Sequence, residues 1–371
     1  MAARITTKLS PKRPPLVLEL ATNGPDPRPV FITGNFNGWQ TRDEAYRMHP
    51  VGGDRYRFQF PEDQELPDPL EYKYVRGDWD DEELDGCSHV PTNRTLHRPG
   101  GLIHDFAPRW KRRGVTIQEH LLPERVLLEE NLLAPQLGRS RRIQVLLPHD
   151  YHSQDRHYPV LYLQDGQNLF DEHAPFGNWA IDRQLALLAE KNHHELIVVA
   201  IDHTNEYRIE EFSPYPTSRI PKARGRAYAR FKAHTLKPFI DKQFRTLTEA
   251  RFTGVGGSSM GGLISLYTGL RHPEVFGRWM IFSPSLWVSN QIYEDVLAHT
   301  LSPDLRAYLY AGGVESRTMV PAAQRLRDLI IRQSRRPEQV FLSIDPRGRH
   351  HEPRWGQEFP EAVSWLFFPA I

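Results

Sequence analysis

Cysteine is nearly absent from the sequence, since Cys87 is the only one among 371 residues. A single thiol allows no intramolecular disulfide and no cysteine-based metal site, and this usage is typical of a reducing compartment. The first residues lack the apolar run of a signal peptide, and no segment offers the ~20 consecutive apolar residues of a membrane span. We therefore expect a cytoplasmic protein with no membrane partner.

A charge excess of one sign is missing as well. The chain has 47 Lys and Arg residues against 46 Asp and Glu residues, for a net charge of +1. The basic stretches at 111–113 and 139–142 lie beside acidic neighbours, as solvated surfaces do, so nucleic acid is not an expected partner. Hydrophobic residues make up 39% and charged residues 25% of the chain. This composition is that of an ordinary globular protein with room for two domains.

From Pro15 to about Trp110, short β-type runs alternate with turn residues. Apolar and polar residues alternate with a period of two in four runs, at 17–20, 30–33, 55–60 and 70–75. Turn pairs separate them, at Asn23-Gly24, Gly34-Asn35, Asn37-Gly38 and Gly52-Gly53. The pattern predicts a small all-β, immunoglobulin-like antiparallel sandwich without a helix of useful length.

Beyond Gly114, apolar strands alternate with longer helical patterns, which predicts an α/β domain with a mostly parallel sheet covered on both faces. Strands are predicted at 142–148, 158–163, 196–201, 250–255, 307–311 and 340–344. Helices are predicted at 179–191, 225–239 and 260–270. We expect the domain boundary near Gly114, with domains at 1–112 and 113–371.

The stretch Gly257-Ser258-Ser259-Met260-Gly261 matches the G-x-S-x-G nucleophile elbow. In that motif the central serine occupies a strained turn between a strand and a helix, and only glycine tolerates the close backbone contacts on either side. Chance alone would produce such a match in roughly one chain in ten of this length. Here a predicted strand precedes the motif and a predicted helix follows it, which favours Ser259 as a nucleophile.

A serine hydroxyl requires a base, and the base requires an orienting acid. In α/β hydrolases the chain order is serine, acid, histidine. Four histidines follow Ser259, and only His350 and His351 lie in a glycine-containing loop after the last predicted strand. One of these two is therefore the candidate base.

The candidate acid is Glu315, because it follows the penultimate predicted strand in a Gly-Gly turn. Asp304 and Asp345 are the alternatives. An oxyanion hole needs one backbone N–H from the residue after the nucleophile and one from a loop after an early buried strand. Met260 and Gln167 are the corresponding candidates.

Several motifs follow one another in this half of the chain. They are 165–170 with Trp179 and Asp182, 238–241 with 244–246, 259–263, and 282–287. Together they resemble the Putative esterase family, which includes enterochelin esterases, esterase D and mycolyltransferases. The resemblance implies an α/β-hydrolase fold and assigns the triad roles to Ser259, Glu315 and His350. The family's histidine stretch aligns with 348–355, where His351 replaces the usual asparagine.

The N-terminal stretches 34–39, 72–79 and 93–94 resemble early-set β-sandwiches related to glycogen- and starch-binding modules. The resemblance implies a carbohydrate as the candidate partner of this domain, with Trp39, Lys73 and Trp79 as contacts. Exposed aromatic rings stack on sugars, but the same tryptophans also serve as packing residues. The domain could equally be a structural cap.

We predict a serine esterase that hydrolyses small-molecule carboxylic esters through an acyl-enzyme, with no metal or organic cofactor. Trp179, Tyr215 and Trp287 are candidates to line the substrate pocket. Arg208 lies in a further family-like motif; it is a candidate for substrate contact, and we interpret it as a structural ion-pair residue beside the site.

Three alternatives remain open from the sequence. A siderophore trilactone esterase of the enterochelin type would need a cationic pocket, to which Arg208, Arg317 and Arg354 could contribute. A deacylase for acetyl or feruloyl esters of carbohydrates fits the N-terminal resemblance but is opposed by the missing signal peptide. A non-catalytic carbohydrate-binding scaffold would have a broken triad, whereas every triad member has a candidate here.

Overall fold

The computed structural model describes residues 14–22, 26–52, 54–85, 90–111, 119–170, 174, 177–192 and 194–368. Two compact units, residues 1–117 and 118–371, make up the chain. The predicted boundary near Gly114, the Asn23-Gly24 turn, Gly53 and Cys87 lie outside the described residues. Within the described ranges, no helix combines the length and the apolar character that crossing a membrane requires.

The first unit is all-β. Its strands are β1 (Leu16–Thr22), β2 (Phe31–Gly34), β3 (His49–Gly52), β4 (Arg55–Gln59), β5 (Leu70–Val75), β6 (Glu83–Leu84), β7 (Arg94–Leu96), β8 (Gly101–Ala107) and β9 (Arg109–Trp110). They form a sheet of order β3-β4-β1-β8, a sheet of order β2-β5-β7, and the pair β6-β9. All four predicted runs are strands. The pairing of β1 with β8 is parallel, so the unit is not purely antiparallel as the sequence predicts.

Alternating burial along the strands builds the core of this unit. Leu18 and Leu20 of β1 are buried, whereas Glu19 between them is partly exposed, as the period of two in a strand requires. Their partners in the same apolar cluster include Ile32 of β2 and Tyr74 of β5. The polar and apolar alternation of the sequence thus decides which side of each strand faces inward.

The second unit contains an eight-stranded sheet. Its strands are β10 (Glu124–Ala134), β11 (Arg139–Leu147), β12 (Val160–Gln164), β13 (Ile197–Ile201), β14 (Thr253–Ser258), β15 (Arg278–Phe282), β16 (Arg306–Gly312) and β17 (Val340–Asp345). The order is β10-β11-β13-β12-β14-β15-β16-β17. β11 is antiparallel to both of its neighbours, and every other pairing from β13 to β17 is parallel. The mostly parallel sheet and the small all-β unit before it confirm the predicted fold class.

Helices cover this sheet. They are α1 (Gln167–Phe170), α2 (Ile181–Asn192), α3 (Arg208–Phe212), α4 (Gly225–Phe231), α5 (Lys237–Gln243), α6 (Met260–Arg271), α7 (Gln291–Ala298), α8 (Met319–Ser334) and α9 (Glu352–Phe367). A π-helical turn at Lys232–Leu236 joins α4 to α5, where the sequence predicts one continuous helix at 225–239. Two buried apolar clusters pack between the sheet and these helices. Both faces of the sheet are therefore covered, as parallel strands require.

The sequence reading missed two strands and shortened a third. β10 and β15 are not predicted, and β14 continues to Ser258 through a glycine-rich stretch that resembles a turn. The glycines are needed because neighbouring strands and helices crowd the backbone. A Cβ on Gly256 would lie 2.7 Å from the Cβ of Met280, and one on Gly254 would lie 2.7 Å from the ring of Phe367.

Candidate active site

Four adjacent parallel strands end at one edge of the sheet, and each is followed by a polar side chain. Ser259 follows β14, Ser283 follows β15, Glu315 follows β16 and His350 follows β17. Because the carboxyl ends of parallel strands share an edge, this topology brings together residues that lie up to ninety-one positions apart (350 − 259).

Ser259 occupies a strained turn between β14 and α6, with φ 54° and ψ −121°. Its backbone N–H donates to the carbonyl of Phe282 at 3.0 Å, and its carbonyl accepts from the N–H of Ser285 at 3.0 Å. A Cβ on Gly257 would lie 3.0 Å from the carbonyl carbon of Gly261, and a Cβ on Gly261 would lie 3.1 Å from the Cβ of Gln164, so a side chain at either position would crowd its neighbours. This is the geometry that exposes a nucleophile at the end of a strand.

The hydroxyl of Ser259 is half-buried and lies 3.3 Å from Ser285 Oγ. Among the described residues it makes no hydrogen bond to His350. Catalytic hydrogen bonds are often long before substrate is bound and tighten in the reacting complex. The structure thus places the Ser259 turn and the His350 imidazole at one sheet edge without a hydrogen bond between the two side chains.

The Glu315 carboxylate pairs with the His350 imidazole. Oε2 of Glu315 lies 2.6 Å from Nδ1 of His350, and the two side chains are 1% and 40% exposed. Oε1 of the same carboxylate accepts from Ser283 Oγ at 2.6 Å and from the N–H of Gly312 at 2.8 Å. A buried acid therefore holds one nitrogen of the ring and leaves the other, Nε2, available for proton transfer.

His351 has a different role in the structure. It is the N-cap of α9, and its Nδ1 accepts from the N–H of Arg354 at 3.2 Å. Burial lowers the pKa of His351, and the neighbouring Arg349 adds to this effect. The ring is thus kept neutral and oriented toward the helix, whereas His350 faces the acid.

The loop after β12 is fixed by its side chains. The Gln167 amide pairs with the backbone of His203: Nε2 donates to the carbonyl at 2.8 Å, and Oε1 accepts from the N–H at 3.1 Å. Gly166 donates its N–H to Ile201 at 3.0 Å. Gln167 and Met260 are each the first residue of a helix, α1 and α6, where backbone N–H groups lack an intrahelical acceptor.

Arg208 pairs with Asp165, another residue of the loop after β12. Asp165 has a positive φ of 56°. Nε and Nη2 of Arg208 donate to the two carboxylate oxygens of Asp165 at 2.6 and 2.7 Å. The Nε–Nη2 edge of the guanidinium therefore binds the carboxylate bidentately. Arg208 thus forms a structural ion pair beside the site.

Sequence reasoning did not single out Glu352 or Ser283. Glu352 begins α9, and its Oε1 accepts from Nδ2 of Asn168 at 3.3 Å. Burial raises the pKa of Glu352, and the negative charge of Asp165 acts in the same direction. Both residues lie inside the family-like motifs, but only their contacts across the sheet edge distinguish them from ordinary loop residues.

The aromatic candidates for the substrate pocket divide into two groups. Trp179 is 2% exposed and stacks on Phe282 with ring centroids 5.4 Å apart, and Tyr215 is 1% exposed and donates its hydroxyl to Asp295 Oδ2 at 2.6 Å. Both side chains pack in the core, which does not support the prediction that they line the substrate pocket. Trp287 is 70% exposed, two residues after Ser285.

The arginines proposed for a cationic pocket are mostly paired. Arg354 donates from Nε to Asp345 Oδ2 at 2.6 Å and from Nη2 to Glu358 Oε2 at 2.8 Å. Arg208 and Arg354 are thus both paired with carboxylates. Among the described residues, Arg317 is the one candidate of the three without a carboxylate partner, and its side chain is exposed. The ion pair with Arg354 also occupies Asp345, which the sequence offers as an alternative acid.

In the first unit, Trp39 and Trp79 lie side by side, with ring centroids 6.2 Å apart. Trp79 is exposed and Trp39 is half-buried. Lys73, the third predicted carbohydrate contact, is buried and pairs with Glu82 at 3.2 Å. Its ammonium group therefore points into the protein and is not displayed with the two rings.

Three side chains have potential ligand atoms close enough together to hold a metal ion. His149, Asp150 and Glu195 have ligand atoms within 4.8 Å of one another. Ion pairs already engage this group: His149 pairs with Glu195 at 2.9 Å, and Arg156 donates to Asp150 at 2.6 Å. The cation of Arg156 opposes a metal ion there, so these side chains are accounted for as a network of ion pairs.

The chain shares sequence with several curated relatives. It is 25% identical over 242 residues to Uncharacterized protein YbbA of Bacillus subtilis (strain 168), a match that covers 62% of this chain and 93% of YbbA. It is 27% identical over 165 residues to an endo-1,4-beta-xylanase/feruloyl esterase of Xylanibacter ruminicola, covering 42% of this chain and 21% of that protein. The likeness to the second protein thus concerns a limited part of it.

Similar architecture extends over nearly the whole chain. The crystal structure of an enterochelin esterase from Shigella flexneri superposes with a TM-score of 0.55 at 17% identity, covering 93% of this chain and 91% of that one. Residues 134–366, more than half of the chain, match the model of the family described as Putative esterase. The chain therefore belongs to the Putative esterase family and is a carboxylic ester hydrolase with an α/β-hydrolase fold.

Proposed function

We propose that the protein is a serine esterase that hydrolyses carboxylic esters through an acyl-enzyme on Ser259, with His350 as base and Glu315 as orienting acid. The observation that carries the proposal is the 2.6 Å pairing of Glu315 Oε2 with His350 Nδ1 at the sheet edge where the Ser259 elbow ends. A buried carboxylate on Nδ1 selects the tautomer whose Nε2 accepts a proton.

In the proposed reaction, His350 removes the proton of Ser259 as its oxygen attacks the ester carbonyl. The backbone N–H groups of Met260 and Gln167 stabilise the oxyanion. His350 then protonates the leaving alcohol, and water, activated by the same ring, releases the acid. His351 takes no part, because its Nδ1 is used as the cap of α9.

Hydrolysis of p-nitrophenyl acetate and butyrate tests the mechanism, with a fluorophosphonate probe to report serine labelling. We expect Ser259→Ala and His350→Ala to lose turnover, and Ser259→Ala to lose labelling, while His351→Ala remains active. His351→Ala is the matched control, since it removes an adjacent imidazole. If the wild type shows neither turnover nor labelling, the proposed mechanism is wrong and the protein is a binding scaffold.

An uncharged aromatic or apolar acyl group is the substrate that we propose. Trp287 is 70% exposed. Ser285, two residues earlier, donates its N–H to the backbone carbonyl of Ser259, the proposed nucleophile. An exposed indole near the reacting serine favours aromatic acyl groups by stacking. Two of the three arginines that a polyanionic siderophore ester would need are engaged by carboxylates, which argues against the enterochelin-type alternative.

Substrate profiling separates these alternatives. We expect methyl ferulate to be hydrolysed with a higher kcat/KM than a triscatecholate trilactone. Trp287→Ala should lower kcat/KM for the ferulate about fivefold, since an aromatic contact contributes about 1 kcal/mol beyond area burial, and should leave p-nitrophenyl acetate nearly unaffected. Equal losses on both esters would exclude Trp287 as an acyl contact.

We also propose that the first unit binds an α-glucan through Trp39 and Trp79. Their adjacent rings, one of them exposed, support this idea, whereas the burial of Lys73 removes one predicted contact. Affinity electrophoresis in gels with glycogen or starch tests it. Retardation should disappear in Trp39→Ala and Trp79→Ala but persist in Trp287→Ala; no retardation of the wild type would identify the pair as packing residues.

A further inference from the structure

A series of three hydrogen bonds leads from Trp355 through Ser283 and Glu315 to His350. Trp355 Nε1 lies 2.9 Å from Ser283 Oγ, Ser283 Oγ lies 2.6 Å from Glu315 Oε1, and Glu315 Oε2 lies 2.6 Å from His350 Nδ1. Ser283 is fully buried, and Trp355 and the Glu315 side chain are nearly so. Water therefore has little access to the two side-chain contacts of Ser283, whereas the His350 ring is partly exposed.

The chemistry of the groups determines which one donates and which one accepts in each of these hydrogen bonds. An indole N–H can only donate, so the Ser283 oxygen accepts from Trp355. The single hydroxyl hydrogen of Ser283 is then directed to Glu315 Oε1. The N–H of Gly312 is the second donor to the same oxygen, at 2.8 Å. With two donors on Oε1, the carboxylate is held in one rotamer that presents Oε2 to His350.

The backbone at Ser283 is unusual. Its φ is 42°, a left-handed conformation that non-glycine residues rarely adopt and that clusters at functional sites. Asp165 and Ser259, after β12 and β14, share this feature. Ser283 is anchored there by its N–H, which donates to the carbonyl of Tyr310 at 2.9 Å. A glycine would be less strained at this position.

Trp355 contacts both ends of the arrangement. Its ring packs edge-on against the His350 ring, with centroids 4.8 Å apart and an interplanar angle of 85°. The same indole thus orients Ser283 through Nε1 and supports the imidazole through its ring. The acid and the base are positioned by one side chain from α9 and one from the end of β15.

From these contacts we propose that Ser283, oriented by Trp355, is a positioning residue that fixes the Glu315 carboxylate for His350. The inference rests on the proposed function, because it assigns Ser283 a task in the same triad. It makes Ser283 a determinant of turnover that does not itself touch the ester.

Ser283→Gly is the decisive variant, because glycine adopts the positive φ without strain and removes only the side chain. We expect kcat for p-nitrophenyl butyrate to fall about 10- to 100-fold, the usual effect of removing an outer hydrogen-bond partner of a site, while KM changes less than about threefold. Trp355→Phe keeps a ring against His350 but deletes the donor, and it should give a smaller fall in kcat. Ser213→Ala, which removes another fully buried serine hydroxyl, is the matched control.

A spectroscopic measurement makes the test independent of turnover. The proton between Glu315 and His350 should give a one-dimensional ¹H NMR resonance far downfield of the backbone amides, because the contact is short. We expect the signal in the wild type and in Ser213→Ala, and its loss or an upfield shift in Ser283→Gly. Disappearance of the signal in His350→Ala would assign it.

The outcomes separate the two proposals. If the wild type does not hydrolyse esters but Ser283→Gly still alters the resonance, the proposed function fails and the positioning role stands. If Ser283→Gly keeps kcat within twofold and leaves the resonance unchanged, Ser283 is a packing residue and the inference is wrong. Lack of the resonance in the wild type would contradict the short contact on which the inference rests.

Discussion

Gly312 and Gly348 lie against each other at the end of the sheet: a Cβ on Gly348 would be 2.9 Å from the Cα of Gly312. The N–H of Val314 donates to the carbonyl of Gly348 at 3.2 Å, so the acid loop after β16 and the histidine loop after β17 are joined through their backbones. Side chains on either glycine would separate the two loops. The distance between Glu315 and His350 therefore depends on two residues that carry no functional group.

Gly312→Ala should strongly impair catalysis. The new Cβ would overlap the carbonyl of Gly348 and lie 2.6 Å from Glu315 Oε1, which displaces the acid relative to the base. A displacement of about 1 Å in a catalytic group can cost about 100-fold in rate, and we expect a loss of that size in kcat. Steady-state kinetics on p-nitrophenyl butyrate measure it. Gly138→Ala is the control, because Gly138 has φ 66° but an open surrounding; a comparable loss there would refute the explanation.

His351→Asn should preserve activity and flatten the pH dependence of stability. Partial burial lowers the pKa of His351, so the unfolded state binds a proton that the folded state does not. The free energy of unfolding therefore decreases as the pH falls through about 6.5, the value of an unperturbed histidine. Asparagine caps a helix without titrating, and this part of the decrease should vanish. Urea unfolding at pH 5, 6, 7 and 8 checks it, and identical profiles would contradict it.

His351→Ala should instead lose the cap of α9 at every pH. The free energy of unfolding should drop by about 1 kcal/mol, the usual cost of removing a helix cap. The difference between the alanine and asparagine variants isolates the capping hydrogen bond from the titration.

Gln167→Ala should lower kcat more than it raises KM. The side-chain amide is paired with the backbone of His203, and without that pair the loop that carries the candidate oxyanion N–H is less well fixed. Deleting an oxyanion donor outright costs about 100- to 1,000-fold, so displacing one should cost about tenfold. Steady-state kinetics provide the measurement, with the exposed Gln154→Ala as control. A rise in KM with unchanged kcat would indicate a substrate-binding role for Gln167 instead.

Arg208→Met should destabilise the fold, because it leaves the Asp165 carboxylate buried and unpaired. Breaking such a pair costs about 3 kcal/mol in the free energy of unfolding, and Arg208→Lys should recover only part of it, since an ammonium group cannot bind both oxygens in the same geometry. The double variant Asp165→Asn/Arg208→Met removes the charge and should regain most of the loss. Urea titration gives the three values. A double variant no more stable than Arg208→Met would rule out the ion pair as the cause.

Much of this protein can be predicted from local sequence. The two-residue periodicity of 17–20 and 70–75 predicts strands of the first unit, and the apolar runs at 158–163 and 196–201 predict buried parallel strands. These signals are local, because side-chain alternation and burial act within one element. The strand prediction fails where tertiary packing overrides these local signals. β14 continues through glycines because Met280 and Phe367 leave no room for side chains.

The sequence by itself determined the family, the positions of most strands along the chain and the elbow at Ser259, since each depends on residues that are neighbours in the chain. Only the tertiary structure decided which carboxylate meets His350, that Ser283 and Trp355 support that carboxylate, and that Arg208 and Arg354 are paired. It also placed Trp179 and Tyr215 in the core and left Trp287 exposed. These outcomes depend on contacts between segments that are distant in sequence, and a side chain's type does not specify which partner the fold brings within hydrogen-bonding distance.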